Sequence, residues 1–424
     1  MQPSTRAGGG AWTIFAVLCL AYTLSQFYRA ANAVIGPDIT RELQFGPVEL
    51  SIITSSFFIA FGLVQPFVGV LLDRYGPRFS MTALMVVAVA GAILFAVSSS
   101  LEGLSFARIL LGIGNSALLI GPLVVYARWF PPQRFGLLTS VHIAVGSLGT
   151  LLATSPLAEA SATFGWRGAF LGMTAITALF AVLILVVVRD GPSGHPFLTR
   201  EPERLIDSFR GIREVLRNRR MWLIFAMNFT AYPSTITVLG LWGGPYLADV
   251  HGLDTAARGQ VLQNMAIASI IGYLAFGPLD RVLDTRKWLV IGGACGIVAV
   301  LCLLAFVPGL ALWQVSALLA AHGFLASSFA FVLAHGRSVF EERLVGRGMT
   351  VLNFGTMMGS FTLQYLTGLV ISAFGTADGA VPPESAYRAM FGTLALCLAL
   401  ALLVYWRIED AKPSEEARRA TPAR

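Results

Sequence analysis

A charged segment occurs twice in this chain, each time between two long apolar runs. Residues 69–78 read GVLLDRYGPR, and residues 277–287 read GPLDRVLDTRK. The first aspartate of each segment, Asp73 and Asp280, lies 207 residues from its counterpart, and the arginine that follows keeps the same spacing. A charged turn repeated inside an apolar chain indicates two copies of one membrane-embedded unit.

The composition makes lipid the solvent for most of the chain. Of 424 residues, 56% are hydrophobic and only 12% are charged, and the mean hydropathy is +0.71. A soluble domain carries about 25% charged residues, and a helix that crosses a bilayer needs roughly 20 apolar residues. Twelve runs are predicted to be such spans: 12–36, 49–71, 80–99, 104–127, 136–157, 166–188, 221–246, 258–278, 288–307, 311–334, 347–374 and 389–406.

These runs predict an all-α integral membrane protein with twelve transmembrane helices in two pseudo-symmetric six-helix bundles. The N-terminal bundle is expected over residues 1–188 and the C-terminal bundle over 221–407. Between them, residues 189–220 are expected to form a cytoplasmic linker, in which 206–220 has the apolar spacing of an amphipathic helix. Residues 408–424 are expected to be a cytoplasmic tail.

The charge distribution predicts the orientation of the chain. The net charge is +7, and arginines concentrate on alternate connections between the runs. Because basic residues favour the cytoplasmic side, this bias places both termini in the cytoplasm. The basic excess is therefore explained by topology, and nucleic acid is not an expected partner. The four cysteines lie inside the runs with no metal-ligand spacing, so neither a metal nor a cofactor is expected.

Three short motifs carry a family resemblance. They are the charged segment 69–78, the pattern Arg-x-x-x-Gly-x-Gly over 108–114, and Gly-Trp-Arg over 165–167. With these, the chain resembles the major facilitator superfamily across nearly its full length. The resemblance implies that the two bundles rock about a central site and expose it to each side in turn. The fifth-span Gly-Pro motif of drug/proton antiporters is missing, which disfavours drug efflux without removing it as an alternative.

The resemblance also implies a role for the repeated charged segments as a latch that holds the cytoplasmic side closed. A carboxylate at Asp73 can gain from the dipole of a neighbouring helix N-terminus. Simple topogenic charge is the alternative interpretation. The candidate gate residues are Asp73, Arg74, Arg78, Asp280, Arg281 and Arg286.

An arginine inside the first span indicates the type of solute. The segment Phe27–Arg29 resembles the branch of organophosphate antiporters and organic-anion symporters. Phosphate-ester members of that branch have a second arginine in span seven, where the internal offset of this chain places Thr237. This departure favours a monoanion or a zwitterion over a doubly charged phosphate ester.

Polar residues at helical spacing are predicted to line the substrate site. An arginine at the centre of a membrane helix costs about 2.5–3.5 kcal/mol, so Arg29 is expected to face a cavity or a partner. Polar residues that share its helix face, or lie at matching depth in other spans, are further candidates; hydrogen bonding between helices is the alternative for each. The candidate substrate-binding residues are Tyr22, Gln26, Arg29, Asn32, Asn115, Asn228, Tyr232, Thr237, Asn353 and Gln364.

Proton coupling is left open by the sequence. No Asp or Glu lies near the middle of a predicted span, although proton-driven carriers commonly use one there. His142 and His322 are titratable groups at depth, and an ordinary histidine exchanges protons near pH 6.5; each could equally be a packed residue. Arg108 is a third coupling candidate, with an outer gate or snorkelling to the interface as alternatives.

These observations favour a secondary active transporter over an enzyme, since no catalytic set of side chains can be assembled at a common depth. We expect a monomer in a bacterial inner membrane that imports a small organic anion, a carboxylate, by rocker-switch alternating access. Its partners would be the small-molecule substrate, the lipid bilayer and, if coupled, protons. The alternative functions are an efflux pump for an amphiphilic drug or metabolite and, less favoured, a transport-like sensor.

Overall fold

The computed structural model of the protein describes residues 9–192, 213–341, 344–374 and 381–415. In these ranges the regular structure is helical, and no strand occurs. Each predicted apolar run coincides with one span, which we number 1–12 in chain order.

Spans 1–6 contain several interrupted helices. Their bounds are Gly9–Ala30 and Asn32–Leu43 for span 1, Pro47–Leu72 for span 2, Arg74–Val97 for span 3, Leu101–Asn115 and Ile120–Trp129 for span 4, Pro132–Leu152 for span 5, and for span 6 the part of Ser155–Val187 that follows a break at Gly165.

Spans 7–12 repeat this arrangement. Their bounds are Arg219–Asn228, Ala231–Thr237, the π-helix Val238–Trp242 and Gly243–Asp249 for span 7, Thr255–Phe276 for span 8, Lys287–Phe306 for span 9, Leu312–Ala326 and Phe329–Ser338 for span 10, Val345–Ser372 for span 11, and Glu384–Tyr405 for span 12.

The length and apolarity of the helices agree with twelve crossings. Within the described residues, ten helical stretches are long and apolar enough to cross a membrane, and one of them, Leu137–Val187, is 51 residues long and covers spans 5 and 6. Span 11 has sufficient length at 28 residues, but its buried side carries Ser360, Gln364 and Thr367. The predicted all-helical fold with twelve spans is confirmed.

The helix interruptions follow the internal repeat. Span 1 breaks at Ala31, and 207 residues later span 7 forms the π-helix Val238–Trp242. Span 4 is interrupted over residues 116–119, and span 10 over 327–328, which is 209 residues beyond 118–119. Discontinuous membrane helices leave backbone groups free at depth, where lipid cannot satisfy them. The internal repeat of the sequence therefore extends to the positions of the helix interruptions.

The residues divide into two compact units. Unit 1 consists of residues 1–31 and 56–205, and unit 2 consists of 32–55 and 206–424. The segment 32–55, which holds the second helix of span 1 and the start of span 2, thus packs with spans 7–12. Close contact within unit 2 depends on glycine, because a Cβ on Gly244 would overlap the Ala33 carbonyl oxygen.

The predicted amphipathic linker helix falls only partly within the described residues. Positions 206–212 lie outside them, whereas residues 213–217 are helical. In this short helix Val215 is buried, whereas Arg213, Glu214, Leu216 and Arg217 are exposed.

Candidate functional site

Arg29 lies in the last turn of the first helix of span 1, two residues before the break at Ala31. A cation is favourable at this position because the free carbonyl groups at a helix C-terminus carry partial negative charge. The side chain is only 6% exposed. Its guanidinium carbon lies 4.5 Å from the centre of the Phe61 ring, and its Nε has no hydrogen-bond partner among the described residues.

Arg108 in span 4 is a second buried cation in unit 1. Its side chain has no exposed surface, and Nη1 donates a 2.7 Å hydrogen bond to the carbonyl oxygen of Tyr28. The guanidinium carbon lies 4.9 Å from the centre of the Phe57 ring. Its Nε and Nη2 have no hydrogen-bond partner in the described part of the chain. Arg108 is therefore not a snorkelling residue at an interface.

Phe57 and Phe61 connect the two arginines. They lie one helical turn apart on span 2, their ring centres are 5.9 Å apart, and the rings stack at 27°. Both are at most 1% exposed. A guanidinium over a ring face gains cation–π stabilisation, worth about 2 kcal/mol when desolvated. The sequence analysis missed both phenylalanines, although their four-residue spacing in an apolar span was visible.

The remaining candidates in unit 1 differ in how fully they are bonded. Asn115 is buried, and its Nδ2 donates to the Leu111 carbonyl at 2.8 Å while its Oδ1 has no partner among the described residues. The half-buried Gln26 likewise has an Oε1 without a described partner. Gln65 in span 2, not predicted, shows the same pattern. These amides retain hydrogen-bonding capacity inside unit 1.

Both ring nitrogens of His142 have hydrogen-bond partners. Its Nε2 lies 3.3 Å from the Leu118 carbonyl oxygen, and its Nδ1 lies 3.0 Å from the Tyr126 hydroxyl. That carbonyl is free because Pro122, four residues on, has no N–H. A carbonyl only accepts, so Nε2 must donate to it and Nδ1 accepts from Tyr126. The ring of Tyr22 stacks on the imidazole at 4.7 Å.

Unit 2 contains its own buried polar groups. Asn32 begins the second helix of span 1, and its amide donates to the Thr54 hydroxyl at 2.8 Å. Thr237 and Gln364 are fully buried, and neither the hydroxyl nor either amide atom has a described partner.

The other candidates of unit 2 are engaged within or between helices. Asn228 donates to the Ile224 carbonyl at 3.2 Å and accepts from Thr356 at 3.4 Å. The half-buried Tyr232 ring lies 5.4 Å from Phe329, and Asn353 is half-buried. His322 is fully buried, with Nε2 3.1 Å from the Thr235 hydroxyl and Nδ1 without a described partner.

The charged segment of unit 1 is held by an acid that the sequence analysis missed. Asp190, directly after span 6, accepts the Arg78 N–H at 2.7 Å, and the Arg78 Nε donates to the Leu185 carbonyl at 2.6 Å. Gly76, at φ 79°, has its α-carbon so close to Asp190 that a Cβ would overlap the carboxylate. Arg74 is exposed, and the side chain of Asp73 lies outside the described residues.

The matching segment of unit 2 has the same design. Asp410, five residues after span 12, accepts hydrogen bonds from the N–H groups of Arg286 and Lys287 at 3.1 and 2.9 Å and from the Thr285 hydroxyl at 2.5 Å. Asp280 forms a 3.5 Å ion pair with Arg286. Arg281, the remaining gate candidate, is exposed. Each half thus has a carboxylate that accepts a backbone N–H near the start of its third span, after the break at Gly76 in span 3 and at the first residue of span 9, where the helix dipole favours negative charge.

The Asp410 contacts predict a pH-dependent contribution to stability. Burial alone would raise the pKa of this carboxyl, but the hydrogen bonds from Thr285, Lys287 and Arg286 outweigh burial and lower the pKa below 3.8. A lowered pKa stabilises the fold above the unfolded value, and the contribution is lost as pH falls through the folded value.

Asp410→Asn should therefore destabilise the protein at pH 7 by about 0.5–1 kcal/mol, a figure that allows for solvent screening. The difference from wild type should be full above about pH 4, near the unfolded pKa, and should disappear as the pH falls further through the lowered pKa of Asp410. Thermal unfolding of the variant and the wild type across this pH range measures both the destabilisation and its pH dependence. Glu409→Gln is the control, because Glu409 is exposed in its pair with Arg220. An Asp410→Asn effect independent of pH would contradict the assignment.

Comparison with known proteins identifies relatives along the whole chain. The family model described as Major Facilitator Superfamily matches residues 18–336 and 265–424. A hexuronate transporter of Escherichia coli (strain K12) is 23% identical, with 97% of this chain and 96% of the relative covered. A probable sulfoacetate transporter of Cupriavidus necator is 24% identical, with 63% of this chain and 65% of the relative covered.

A solved structure agrees with the fold. A bacterial homologue of the human lysosomal transporter Spinster, in an inward-facing and unoccupied conformation, superposes with a TM-score of 0.73 at 16% sequence identity. The similarity covers 94% of this chain and 97% of that protein. At this level of identity the likeness concerns the fold alone.

Proposed function

This chain belongs to the Major Facilitator Superfamily, and we propose that it is a secondary carrier that moves a small organic anion, a carboxylate, which Arg29 binds. The family and the relatives are transporters, so the chain is a multi-pass membrane transporter rather than an enzyme. The substrate, its direction of movement and the residues that bind it are our proposal.

The buried charge of Arg29 is the observation that carries the proposal. An arginine remains protonated in proteins, and a buried charge without a partner costs several kcal/mol. Among the residues that the structure describes, no carboxylate pairs with Arg29. A bound carboxylate would provide the missing charge and accept two parallel hydrogen bonds from one guanidinium.

Amide and hydroxyl groups would recognise the rest of the solute. In unit 1, Gln26 and Asn115 each retain an oxygen without a described partner, and an unsatisfied buried polar atom costs about 1–3 kcal/mol. Within unit 2, Thr237 and Gln364 also have buried polar atoms without a described partner. Hydroxyl-bearing acids could satisfy such groups, and the hexuronate and sulfoacetate in the names of the two relatives are organic anions.

In this proposal the protein lies in a bacterial inner membrane. The connections that carry Arg78 and Arg286 face the cytoplasm. This orientation follows from the arginine bias and puts both termini in the cytoplasm. If protons drive the cycle, His322 is a better candidate than His142, because its Nδ1 has no described partner, whereas both ring nitrogens of His142 are engaged.

A binding screen on the purified protein tests the proposal. Thermal unfolding is measured with galacturonate, succinate, acetate and sulfoacetate, each beside a neutral counterpart such as galactose or succinamide. We expect at least one organic anion to raise the melting temperature with saturation, and its neutral counterpart to have no effect. The same anion should enter proteoliposomes that contain the protein. Stabilisation by neutral amphiphilic compounds alone would instead support the efflux alternative and contradict the anion assignment.

A further inference from the structure

Unit 1 contains two arginines on one aromatic surface. Arg29 lies over Phe61 and Arg108 over Phe57, and these two rings stack with centres 5.9 Å apart. Arg108 also donates to the carbonyl of Tyr28, the residue that precedes Arg29. The two guanidinium groups therefore belong to one buried cluster, formed where spans 1, 2 and 4 meet.

The cluster has an excess of positive charge. Neither arginine has an ion-pair partner among the described residues, and Arg108 has both Nε and Nη2 without a described hydrogen-bond partner. The carbonyl and the ring faces that surround it supply partial charges only. A solute with one negative charge would neutralise one guanidinium and leave the second buried without compensation, which is costly at low dielectric.

On the basis of the proposed function, we propose that the substrate is a short dianion with two separate anionic groups, a dicarboxylate or a sulfonated carboxylate. Arg29 binds one group and Arg108 binds the other. The expectation of a single charge rested on Thr237, which takes the place of a second arginine in span 7. Unit 1 has a buried arginine in span 4 instead, which lies over the ring that stacks on the ring beneath Arg29. Arg108 is then a substrate-binding residue in addition to its contact with Tyr28.

The test compares solutes of equal shape and different charge. Succinate and succinamate differ only in the replacement of one carboxylate by a neutral amide. We expect wild-type protein to bind succinate at least about 10-fold more tightly, because one charge-assisted contact is lost with succinamate. Sulfoacetate should likewise bind more tightly than acetate or methanesulfonate. Isothermal titration in detergent measures each dissociation constant.

Variants at Arg108 separate substrate binding from a structural role. Arg108→Gln should weaken succinate about 10- to 100-fold, change succinamate little, and bring their ratio close to one. Arg108→Lys keeps the charge and should retain part of the preference. A structural role alone would weaken both solutes equally. Arg167→Gln is the matched control, since Arg167 in unit 1 donates to Ser98 and Ser99, and it should leave the ratio unchanged.

Each other result would overturn the inference in a distinguishable way. If wild-type protein binds succinamate as tightly as succinate while Arg29→Gln weakens both, the proposed function stands and the dianion assignment is wrong. If methyl phosphate, which carries its charge on one group, binds more tightly than the dicarboxylates, the assignment of two separate groups is wrong. If no organic anion binds, both proposals fall. The wild-type comparisons remain decisive even if an Arg108 variant does not fold.

Discussion

Replacing Arg29 with alanine is expected to weaken substrate binding by about 30- to several thousand-fold. Loss of one partner of a desolvated, hydrogen-bonded charge pair costs about 2–5 kcal/mol, and each 1.4 kcal/mol is tenfold in affinity. The Arg29 side chain is only 6% exposed, so its contact with a bound carboxylate would be largely desolvated. Transport in proteoliposomes should fall to the rate of empty vesicles.

The Arg29 experiment needs a measure of folding beside the measure of binding. Removal of an uncompensated buried cation relieves a cost in the substrate-free protein, so Arg29→Ala should unfold at or above the wild-type temperature. Arg29→Lys keeps the charge but loses the planar guanidinium, so we expect an affinity for the anion between those of the wild type and Arg29→Ala. Arg167→Ala serves as the control for loss of a positive charge. Wild-type affinity in Arg29→Ala would disprove the role of Arg29 in binding.

The second large effect is expected at an ion pair within unit 2. Arg258 in span 8 is 1% exposed, and its Nη2 lies 3.0 Å from both carboxylate oxygens of Asp38 and 3.0 Å from the Val34 carbonyl oxygen. This pair attaches segment 32–55 to span 8. Asp38→Asn leaves the guanidinium buried without a counter-charge, which should cost about 3 kcal/mol.

We expect the loss of this pair to release segment 32–55 from spans 7 and 8. Ala33 has no exposed surface, and its carbonyl contacts Gly244. A cysteine at position 33, in a background without the four native cysteines, should be unreactive alone and become labelled by a water-soluble maleimide when combined with Asp38→Asn. Arg41→Gln is the control, because the Arg41–Asp38 pair is 4.0 Å long with Arg41 75% exposed. Equal labelling in both backgrounds would contradict the release.

The spans were predictable because lipid imposes a simple rule on the chain. A membrane helix satisfies its own backbone hydrogen bonds and must be apolar over about 20 residues, so hydropathy reveals it without tertiary information. The same rule makes a charged residue inside an apolar run conspicuous, which is why Arg29 and Arg108 could be selected. The roles proposed for them depend on neighbours that the rule does not reveal.

The residues that the sequence did not reveal resemble their neighbours in the chain. Phe57 and Phe61 stand in an apolar run, where an aromatic side chain is expected in any case. Asp190 and Asp410 stand in polar connections, where an acid is equally ordinary. Only the packing of span 2 against Arg29 and Arg108, and of each acid against the start of a third span, gives these residues a role.

The order of residues was enough to predict twelve helices, their duplication at an offset near 207, and the charged positions that lipid would reject, because each depends on how a short segment interacts with its solvent. The tertiary structure decided three other features. Arg108 and Arg29 lie over two rings that stack on each other, both ring nitrogens of His142 are hydrogen-bonded, and Asp38 pairs with Arg258. These contacts join residues 16 to 220 positions apart, and local hydropathy carries no information about which distant side chains meet.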